Sequence, residues 1–582
     1  MTHRQILFVI FGLMAGMFLS ALDQTIVGTS MRTIADDLDG LALQAWVTTA
    51  YLITSTVMTP IYGKLSDIFG RRPLFIIAIV IFLIGSVAAG FSDSMYQLAV
   101  FRAVQGMGAG GLMALPLAIM GDILAPRERA KYQGYFLAVF GISSVIGPLI
   151  GGLFAGTPEI LFVAGWRWVF LVNLPVGIVA LAIVLRFLHI PHTRRAVRID
   201  WWGAATVIIA LVPLLLVAEK GREWGWDSLP AILSYVIGGL GIAAFIVSEK
   251  LMGDDALIPL KLFKHPTFAM STVLGVLVGF GMFGAMMTIP LYLQLVNGAT
   301  PTESGFLMLP MILGLMISSI VSGQIIARTG TYAIFPKTGT ALMAVGFFWL
   351  TFLTADKPLI WIMTGMFMIG LGLGQLMQTL TIAAQNSVGP RDIGVATSSS
   401  TFFRQIGGTL GVAVLFSVLF TRIPETIAAA FQSKSVTDGI AEAVADPAVL
   451  TDPANKQILE LFQQAQNGGS IGNALDGDTS FLNGSDPRLA APFLEGFNNA
   501  TVTIYWVGLV VVLVAFVLSF FLKAAPLRDR SALQENAAED AAIQAQHAAD
   551  LAGSMVSPDV AQTGSITVVD PESRAPNPKK SS

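Results

Sequence analysis

Fourteen apolar runs, each near the length that a helix needs to cross a bilayer, dominate this sequence of 582 residues. A spanning helix needs about 20 mostly apolar residues. The runs lie near residues 6–28, 46–63, 74–92, 97–121, 132–153, 166–188, 202–218, 230–249, 268–295, 304–327, 334–354, 358–384, 393–420 and 500–522. Only 12% of the residues are charged, about half of the share of roughly 25% that is typical of soluble domains. The sequence therefore predicts an all-α integral membrane protein with 14 transmembrane helices.

Several absences limit the chemistry that this chain can perform. It has no cysteine, its five histidines lie outside the apolar runs, and no HExxH pattern occurs, so we expect no metal site. No phosphate-binding GxxxxGK[ST] run is present, so the chain should not hydrolyse ATP. The 34 basic and 37 acidic residues nearly cancel, which gives no general attraction to nucleic acid. We expect a protein that is not an enzyme, needs no cofactor and uses a gradient.

The basic residues predict the orientation of the spans. If the N terminus is cytoplasmic, 23 of the 34 Lys and Arg residues fall on that side and 9 on the other, while Arg102 and Arg404 lie within spans. Positive residues collect in cytoplasmic loops. We therefore expect a multi-pass protein with both termini in the cytoplasm.

The loop between the second and third spans reads GKLSDIFGRRP from 63 to 73. Gly63 and Gly70 permit close backbone approach and a tight turn, while Asp67, Arg71 and Arg72 form a compact charge cluster at the membrane surface. This loop resembles the signature loop of the major facilitator superfamily. The resemblance implies a major facilitator fold that works by alternating access.

The same loop predicts a conformational latch. We expect Asp67, Arg71 and Asp122 to form a charge relay that docks on the start of the thirteenth span, near Asp392 and Ile393. An anionic Asp67 at a helix start would be stabilised by the positive end of the helix dipole.

The fourth span contains RAVQGMGAG from 102 to 110. An arginine as deep as Arg102 is costly in a membrane and normally has a partner or a function. The run resembles the fourth-helix motif of the superfamily, whose arginine is implicated in proton coupling. The alternative is that Arg102 only binds backbone carbonyls of a neighbouring helix.

The fifth span carries a proline within a face of glycines. Pro148 kinks a helix, and small residues allow close packing. The run from 141 to 152 resembles the antiporter motif of the superfamily, which favours efflux, although a simple packing kink would give the same pattern. The motif residues are Gly141, Gly147, Pro148, Gly151 and Gly152.

A carboxylate lies deep in the first span, in LDQTIV from 22 to 27. Loss of solvation favours the neutral form of Asp23, as proton coupling requires. The run resembles the LDxTIVNVALP signature of the fourteen-span drug:proton antiporters, with departures at Gly28, Ser30 and Arg32. The resemblance implies that Asp23 couples to protons; alternatively, Asp23 is a solvated residue at the helix end.

Further matches to the antiporters are WVTTAYL at 46–52, WRWVFLVNLPVG at 166–177 and RQIGGTLG at 404–411, and GQIIARTG at 323–330 is a degraded copy of the motif at 63–73. Such a repeat indicates two six-helix halves. The expected domains are an N-terminal six-helix bundle at 1–190, a two-helix insertion at 191–266, a C-terminal six-helix bundle at 267–420 and 500–523, a partly helical extracytoplasmic loop at 421–499 and a disordered cytoplasmic tail at 524–582.

Soft and adaptable side chains in the C-terminal half are candidates for the substrate cavity, because methionine suits loose recognition of apolar ligands. The same residues at helical spacing are also typical of packing. The candidates are Gln24, Met282, Phe283, Met286, Met287, Tyr292, Met308, Met311, Gln375, Met377, Gln378 and Arg404. Few other carboxylates lie in the spans, so we expect neutral, monocationic or amphiphilic substrates. Anionic lipids or metabolites are the alternative, because Arg102 and Arg404 are available.

The resemblance to the drug:proton antiporters thus implies a proton-driven exporter of amphiphilic drugs, in contact with membrane lipids and working as a monomer, with an accessory partner conceivable at the outer loop. That its membrane is a bacterial plasma membrane follows from the resemblance alone. One alternative is a dedicated exporter of an endogenous lipid or metabolite. A non-transporting scaffold is a third interpretation, but it would not need Asp23 and Arg102 within the membrane.

Overall fold

The computed structural model describes residues 3–38, 44–189, 198–466, 482, 484–523, 525–528 and 530–531, and short pieces between 534 and 546. The chain divides into two compact units, Met1–Ala532 and Leu533–Ser582. The first unit contains all the long helices described below. The predicted tail from 547 onward, residues 467–481 of the predicted loop and the predicted insertion boundary at 190–197 lie outside the described residues.

Among the described residues, seven helices form the N-terminal half. They are α1 (His3–Asp37), α2 (Gln44–Phe69), α3 (Arg71–Gly90), α4 (Met95–Ile123), α5 (Pro126–Ala155), α6 (Trp168–Leu171) and α7 (Asn173–Phe187). A short antiparallel hairpin, β1 (Glu159–Ile160) and β2 (Val163–Ala164), lies between α5 and α6.

The rest of the first unit is also helical. The insertion contributes α8 (Trp201–Trp224) and α9 (Leu229–Met252). The following helices are α10 (Pro266–Leu295), α11 (Pro301–Leu307), α12 (Leu309–Thr329), α13 (Phe335–Leu350), α14 (Leu359–Asn386), α15 (Ile393–Ala430), α16 (Lys434–Ala445), α17 (Pro447–Thr451), α18 (Lys456–Gln466) and α19 (Pro487–Ser519).

The helices are consistent with the predicted membrane spans, but the count of 14 is not confirmed. Twelve helical segments of the described chain are long and apolar enough to cross a membrane. The second and eleventh predicted spans coincide with α2, which is rich in threonine, and with α13, which has 16 residues. The tenth span is built from α11 and α12, which are separated only by Met308.

Helix packing produces two bundles that meet along two seams. Within the N-terminal half α2 packs on α4 and α1 on α5, and within the C-terminal half α10 packs on α15 and α12 on α14. The seams between the halves are formed by α2 with α15 and by α5 with α12. The insertion covers the α2–α15 seam through a buried apolar cluster that includes Ile53, Val207, Leu211 and Phe402.

Two helices extend into the segment predicted as an outer loop. Helix α15 continues to Ala430 and α19 begins at Pro487, whereas the predicted spans end at 420 and begin at 500. The reason is an apolar stripe at helical spacing, Leu415, Leu419, Ile423 and Ile427, which packs with Phe493 and Phe497 of α19. At 1.5 Å per residue, a helix as long as α15 is far longer than a hydrocarbon core of about 30 Å. Within the described residues, the segment 421–499 thus begins and ends as extensions of α15 and α19, and it contains the separate helices α16, α17 and α18.

The first residues of the predicted disordered tail are held against the bundle. The side-chain amide of Asn386, the last residue of α14, donates hydrogen bonds to the carbonyls of Ala525 and Pro526, at 3.4 and 3.0 Å. Leu527 is buried against Ile326 and Tyr332. The ordered chain therefore continues past 524, because these backbone groups and this leucine find partners at the helix ends.

Candidate functional site

A buried ion pair lies at the centre of the N-terminal half. Arg102 on α4 donates from Nη1 to Asp23 Oδ2 on α1 at 2.5 Å, and both side chains are almost completely inaccessible to solvent. Asp23 has an exposed fraction of 0%, so it is not a solvated helix-end residue. Arg102 binds this carboxylate and Gln105 Oε1 rather than backbone carbonyls.

Neutral donors complete the surroundings of this carboxylate. Gln105 and Asn173 donate to Asp23 Oδ1 at 2.8 and 2.7 Å. Both amides also donate to the hydroxyl of Ser86 on α3, which donates in turn to a backbone carbonyl of α6. Carboxylates that accept several hydrogen bonds are stabilised in the ionised form. In this conformation the Asp23 carboxylate is therefore bound by residues from two other helices, α4 and α7.

An aromatic ring covers the arginine of the pair. The guanidinium carbon of Arg102 lies 4.1 Å from the centre of the Tyr51 ring on α2, a favourable cation–π distance. The Tyr51 hydroxyl lies 2.9 Å from Ser20 Oγ on α1. Tyr51, Gln105 and Asn173 all fall within motifs noted in the sequence, but the sequence predicted no contact with Asp23 for them.

The predicted charge relay is assembled at the end of the bundle where α2 meets α3. Arg71 lies 2.5 Å from Asp67 and 2.7 Å from Asp122, and it also donates to Ser66 Oγ. An arginine between two carboxylates is held by charge-assisted hydrogen bonds. The three relay residues thus come together as expected, and all of them belong to the N-terminal half.

The C-terminal half meets this relay with small, uncharged residues. A Cβ built on Gly394, in the first turn of α15, would lie 2.3 Å from both Asp67 Oδ1 and Arg71 Nη1. A Cβ on Gly63 would lie only 1.9 Å from Ser398 Oγ. Gly70 has a φ of +97°, which explains the glycine in the turn between α2 and α3. We call the contact of Gly63, Asp67 and Arg71 with Gly394 and Ser398 the latch.

Two arginines near the latch differ from the prediction. Arg72 takes no part in the relay among the described residues, since it donates to the carbonyl of Leu185 on α7 at 2.7 Å. Arg129 on α5 was not predicted as a functional residue, yet it is buried and donates to Gln385 on α14 across the seam. It also donates to the carbonyl of Gly121 at 2.7 Å, so it closes the same end of the bundle.

The glycines of α5 face two different neighbours. A Cβ on Gly147 or Gly151 would lie 2.0 or 2.3 Å from the hydroxyl oxygens of Thr25 and Thr29 on α1. A Cβ on Gly141 would lie 2.2 Å from Ile312 on α12, in the other half. These contacts are typical of close helix packing by small residues.

Pro148 and Gly152 of α5 face α11, and their contacts there are less close than those of the other motif glycines. Pro148 lies inside α5 and contacts Gly305. A Cβ on Gly152 would meet only Thr302, at 3.7 Å, which is an ordinary contact.

Three of the cavity candidates are packing residues. Met282 and Tyr292 belong to the core of the C-terminal half, and the Tyr292 hydroxyl donates to Asn498 on α19 at 2.9 Å. Gln378 is fully buried and accepts from Ser319 at 2.9 Å. These three side chains are therefore buried packing residues in this conformation, and their place in a substrate cavity stays a prediction.

The other candidates have varied surroundings. Gln375 accepts from Thr338 on α13 at 2.6 Å, Phe283 contacts Gly408 on α15, and Gln24 is partly buried next to Asp23. Met308 and Met311 are buried in the core, Met286 and Met377 pack partly against it, and Met287 is exposed.

Arg404 differs from every other buried arginine in the described chain. It has an exposed fraction of 8%, and among the described residues it has neither an ion pair nor a hydrogen bond. Its backbone carbonyl packs against Gly279 of α10. A cation buried without a partner is costly, so this position differs physically from Arg102.

Two helical halves with a buried ion pair and a charged latch define a polytopic membrane transporter. The chain matches the sequence family described as Major Facilitator Superfamily over residues 13–412. The protein therefore belongs to the major facilitator superfamily, and the resemblance inferred from its motifs is confirmed. It is a transporter rather than an enzyme.

Relatives and solved structures support the same family and fold. The chain is 40% identical over 414 residues to the multidrug transporter protein MdtP of Bacillus subtilis (strain 168), covering 71% of this chain and 75% of that protein. It is 37% identical over 336 residues to a tetracycline resistance determinant of Streptomyces rimosus, covering 58% and 94%. The proton:xylose symporter XylE has the same fold, with a TM-score of 0.55 at 13% identity, covering 90% of this chain and 97% of that structure.

Proposed function

We propose that this transporter exports amphiphilic drugs or other small hydrophobic compounds from a bacterial cell by proton antiport. The observation that carries the proposal is the carboxylate of Asp23, which is completely buried and neutralised by Arg102. The similarity of the chain to a multidrug transporter and to a tetracycline resistance determinant supports drug export. The protein would lie in the plasma membrane as a monomer with both termini in the cytoplasm.

The ion pair suggests how the proton would act. Protonation of Asp23 would cancel its charge and remove the strongest partner of Arg102, leaving the guanidinium with Gln105 and the Tyr51 ring. A neutral Asp23 and a released Arg102 would favour a different arrangement of α1 and α4. Opening of the latch would then let the halves rock about the α2–α15 and α5–α12 seams.

The test is dye efflux from proteoliposomes under an imposed pH gradient. Wild type should move a lipophilic cation such as ethidium against its gradient, and Asp23→Asn should lose this uphill movement while still exchanging dye across the membrane without a gradient. Asp93→Asn is the matched control, since the Asp93 carboxylate is 82% exposed. Uphill efflux by Asp23→Asn at the wild-type rate would place proton coupling elsewhere.

A second candidate function is export of an endogenous amphiphile that has an acidic group. Arg404 favours it, because an anionic cargo could neutralise a buried cation that has no partner among the described residues. If wild type moves no dye under any gradient but transports an anionic lipid, and Arg404→Gln abolishes that transport, this candidate is correct.

A further inference from the structure

Two carboxylates are buried together in the two-helix insertion. Asp200 caps the start of α8 and Glu249 lies in the last turn of α9, with exposed fractions of 3% and 1%. Carboxylates are almost never buried this completely unless they are paired with a cation or neutralised. Neither the ion pair of Asp23 nor the latch includes these two carboxylates, so they form a second, separate acidic site.

One oxygen of the pair lacks a partner. Asp200 accepts from the amides of Gly203 and Leu257 at 2.6 and 3.1 Å, and Glu249 Oε2 accepts from the amide of Ile258 at 2.8 Å. Glu249 Oε1 is buried, and no group of the described residues donates a hydrogen bond to it. A Cβ on Gly203 would lie 2.2 Å from Asp200 Oδ2 and 2.9 Å from Glu249 Oε1, so these two acceptors lie beside the same glycine.

Among the described residues, no nearby cation neutralises this pair. Asp200 on α8 and Lys64 on α2 are the charged groups that act on Glu249, and the Lys64 amine donates instead to the carbonyl of Asp254 at 3.2 Å. The carboxylate of Asp254 is 82% exposed and pairs with Lys261 at 2.9 Å. Two adjacent buried carboxylates cannot both ionise without a close cation.

We propose that Glu249 and Asp200 form a proton-binding site in which Glu249 Oε1 carries the proton and donates it to Asp200 Oδ2. The shared proton supplies the missing hydrogen bond and removes one of the two buried charges. Glu249 Oε2 still accepts from Ile258 in this arrangement. The site does not depend on the coupling role of Asp23.

This site holds the segment that connects the insertion with both halves. The amides of Leu257 and Ile258 are bound by the two carboxylates, and Lys64, next to Gly63 of the latch, binds the carbonyl of Asp254. Lys261 lies 3.4 Å from Asp392, just before α15. Partial burial lowers the pKa of Lys261, but its bonds to Asp254 and Asp392 raise that pKa overall. Loss of the proton from Glu249 would attract Lys64 away from Asp254 and loosen this connection at alkaline pH.

Infrared difference spectroscopy on the purified full-length protein tests the site directly. Wild type at neutral pH should show the carbonyl-stretch band of a protonated carboxylic acid that disappears on alkalinisation. The band should be absent in Glu249→Gln and shifted in Asp200→Asn. It should be unchanged in Glu460→Gln, whose exposed side chain serves as the control. An unchanged band in Glu249→Gln would overturn the proposal.

The pH dependence of unfolding provides a second readout. A group that binds its proton more tightly in the folded chain stabilises the fold at low pH, and this stabilisation is lost as pH rises. The Tm of wild type should therefore fall on alkalinisation, whereas Glu249→Gln, which mimics the protonated side chain, should lack this component of the fall. A Tm profile for Glu249→Gln that follows wild type across the alkaline range would also contradict the site. Both readouts are independent of transport, so they can fail while drug efflux by proton antiport stands.

Discussion

Arg102 and Arg404 are both buried in long apolar helices, one in each half of the bundle, but their surroundings are opposite. Arg102 has an ion pair with Asp23, a hydrogen bond with Gln105 and a stacked Tyr51 ring. Among the described residues Arg404 has no ion pair or hydrogen bond. The N-terminal half thus contains a neutralised pair, whereas the C-terminal half contains a buried cation with no partner among the described residues. This difference is the reason for proposing the first as a coupling site and the second as a position for an anionic cargo.

The largest effect is expected when the neutral pair is broken. Asp23→Asn leaves Arg102 as a buried charge without a counterion, which costs about 3–5 kcal/mol of unfolding free energy when one partner of a buried pair is removed. Unfolding of the detergent-solubilised variant checks this value. The double variant Asp23→Asn/Arg102→Gln should recover most of the stability, because no unpaired charge is left, but none of the gradient-driven efflux. Equal instability of the single and double variants would contradict the pair.

The second prediction tests the comparison itself. Arg102→Gln leaves the carboxylate of Asp23 unpaired and should lower the unfolding free energy by roughly 3–5 kcal/mol. Arg404→Gln removes a charge that has no described partner, so stability should change by less than about 1 kcal/mol or increase. Chemical unfolding of the two variants under one condition measures the difference. Equal destabilisation by both substitutions would show that Arg404 has an essential counterion.

The sequence predicts one half of this comparison better than the other. Asp23 and Arg102 could be found because a charge deep in an apolar run is rare and both lie in motifs. Asn173 lies in a motif too, but its bond to Asp23 joins segments 150 residues apart, which no local pattern reveals. In the C-terminal half, Met282 and Tyr292 were predicted to line a cavity, and in this conformation they are buried in the core. Helical spacing cannot distinguish a cavity from a core when both faces are apolar.

The span lengths show the same limit. The apolar spacing of Leu415, Leu419, Ile423 and Ile427 continues beyond the length that a membrane requires, but a bilayer-length criterion ends the span at 420. Only the packing of α15 against α19 shows that this stripe forms a helical extension. The pair of Asp67 and Arg71 was predictable, by contrast, because these residues are four positions apart, on either side of the turn at Gly70 between α2 and α3.

A smaller effect should follow from changing the uncharged side of the latch. Gly63→Ala places a methyl group where Ser398 packs, and overpacking of this kind costs about 1–3 kcal/mol. Because the clash exists only with the latch closed, turnover should fall roughly 10-fold while the Kd for substrate changes little. The matched variant Gly63→Ala/Ser398→Gly should restore turnover, since it removes both close atoms of Ser398. No rescue would show that Gly63 acts within its own half.

The smallest effects concern α5, which touches both halves. Gly147→Ala would press on Thr25 within the N-terminal half, two residues after Asp23, and should slow efflux several-fold and displace the ion pair. Gly152→Ala meets only an ordinary contact at 3.7 Å, so efflux and stability should stay close to wild type. Each variant adds one methyl group at a different glycine of the same motif, and both variants keep the helix. Efflux rates from one vesicle preparation separate them. If both variants transport equally well, the glycines of α5 serve general flexibility, and close packing on α1 does not control the position of Asp23.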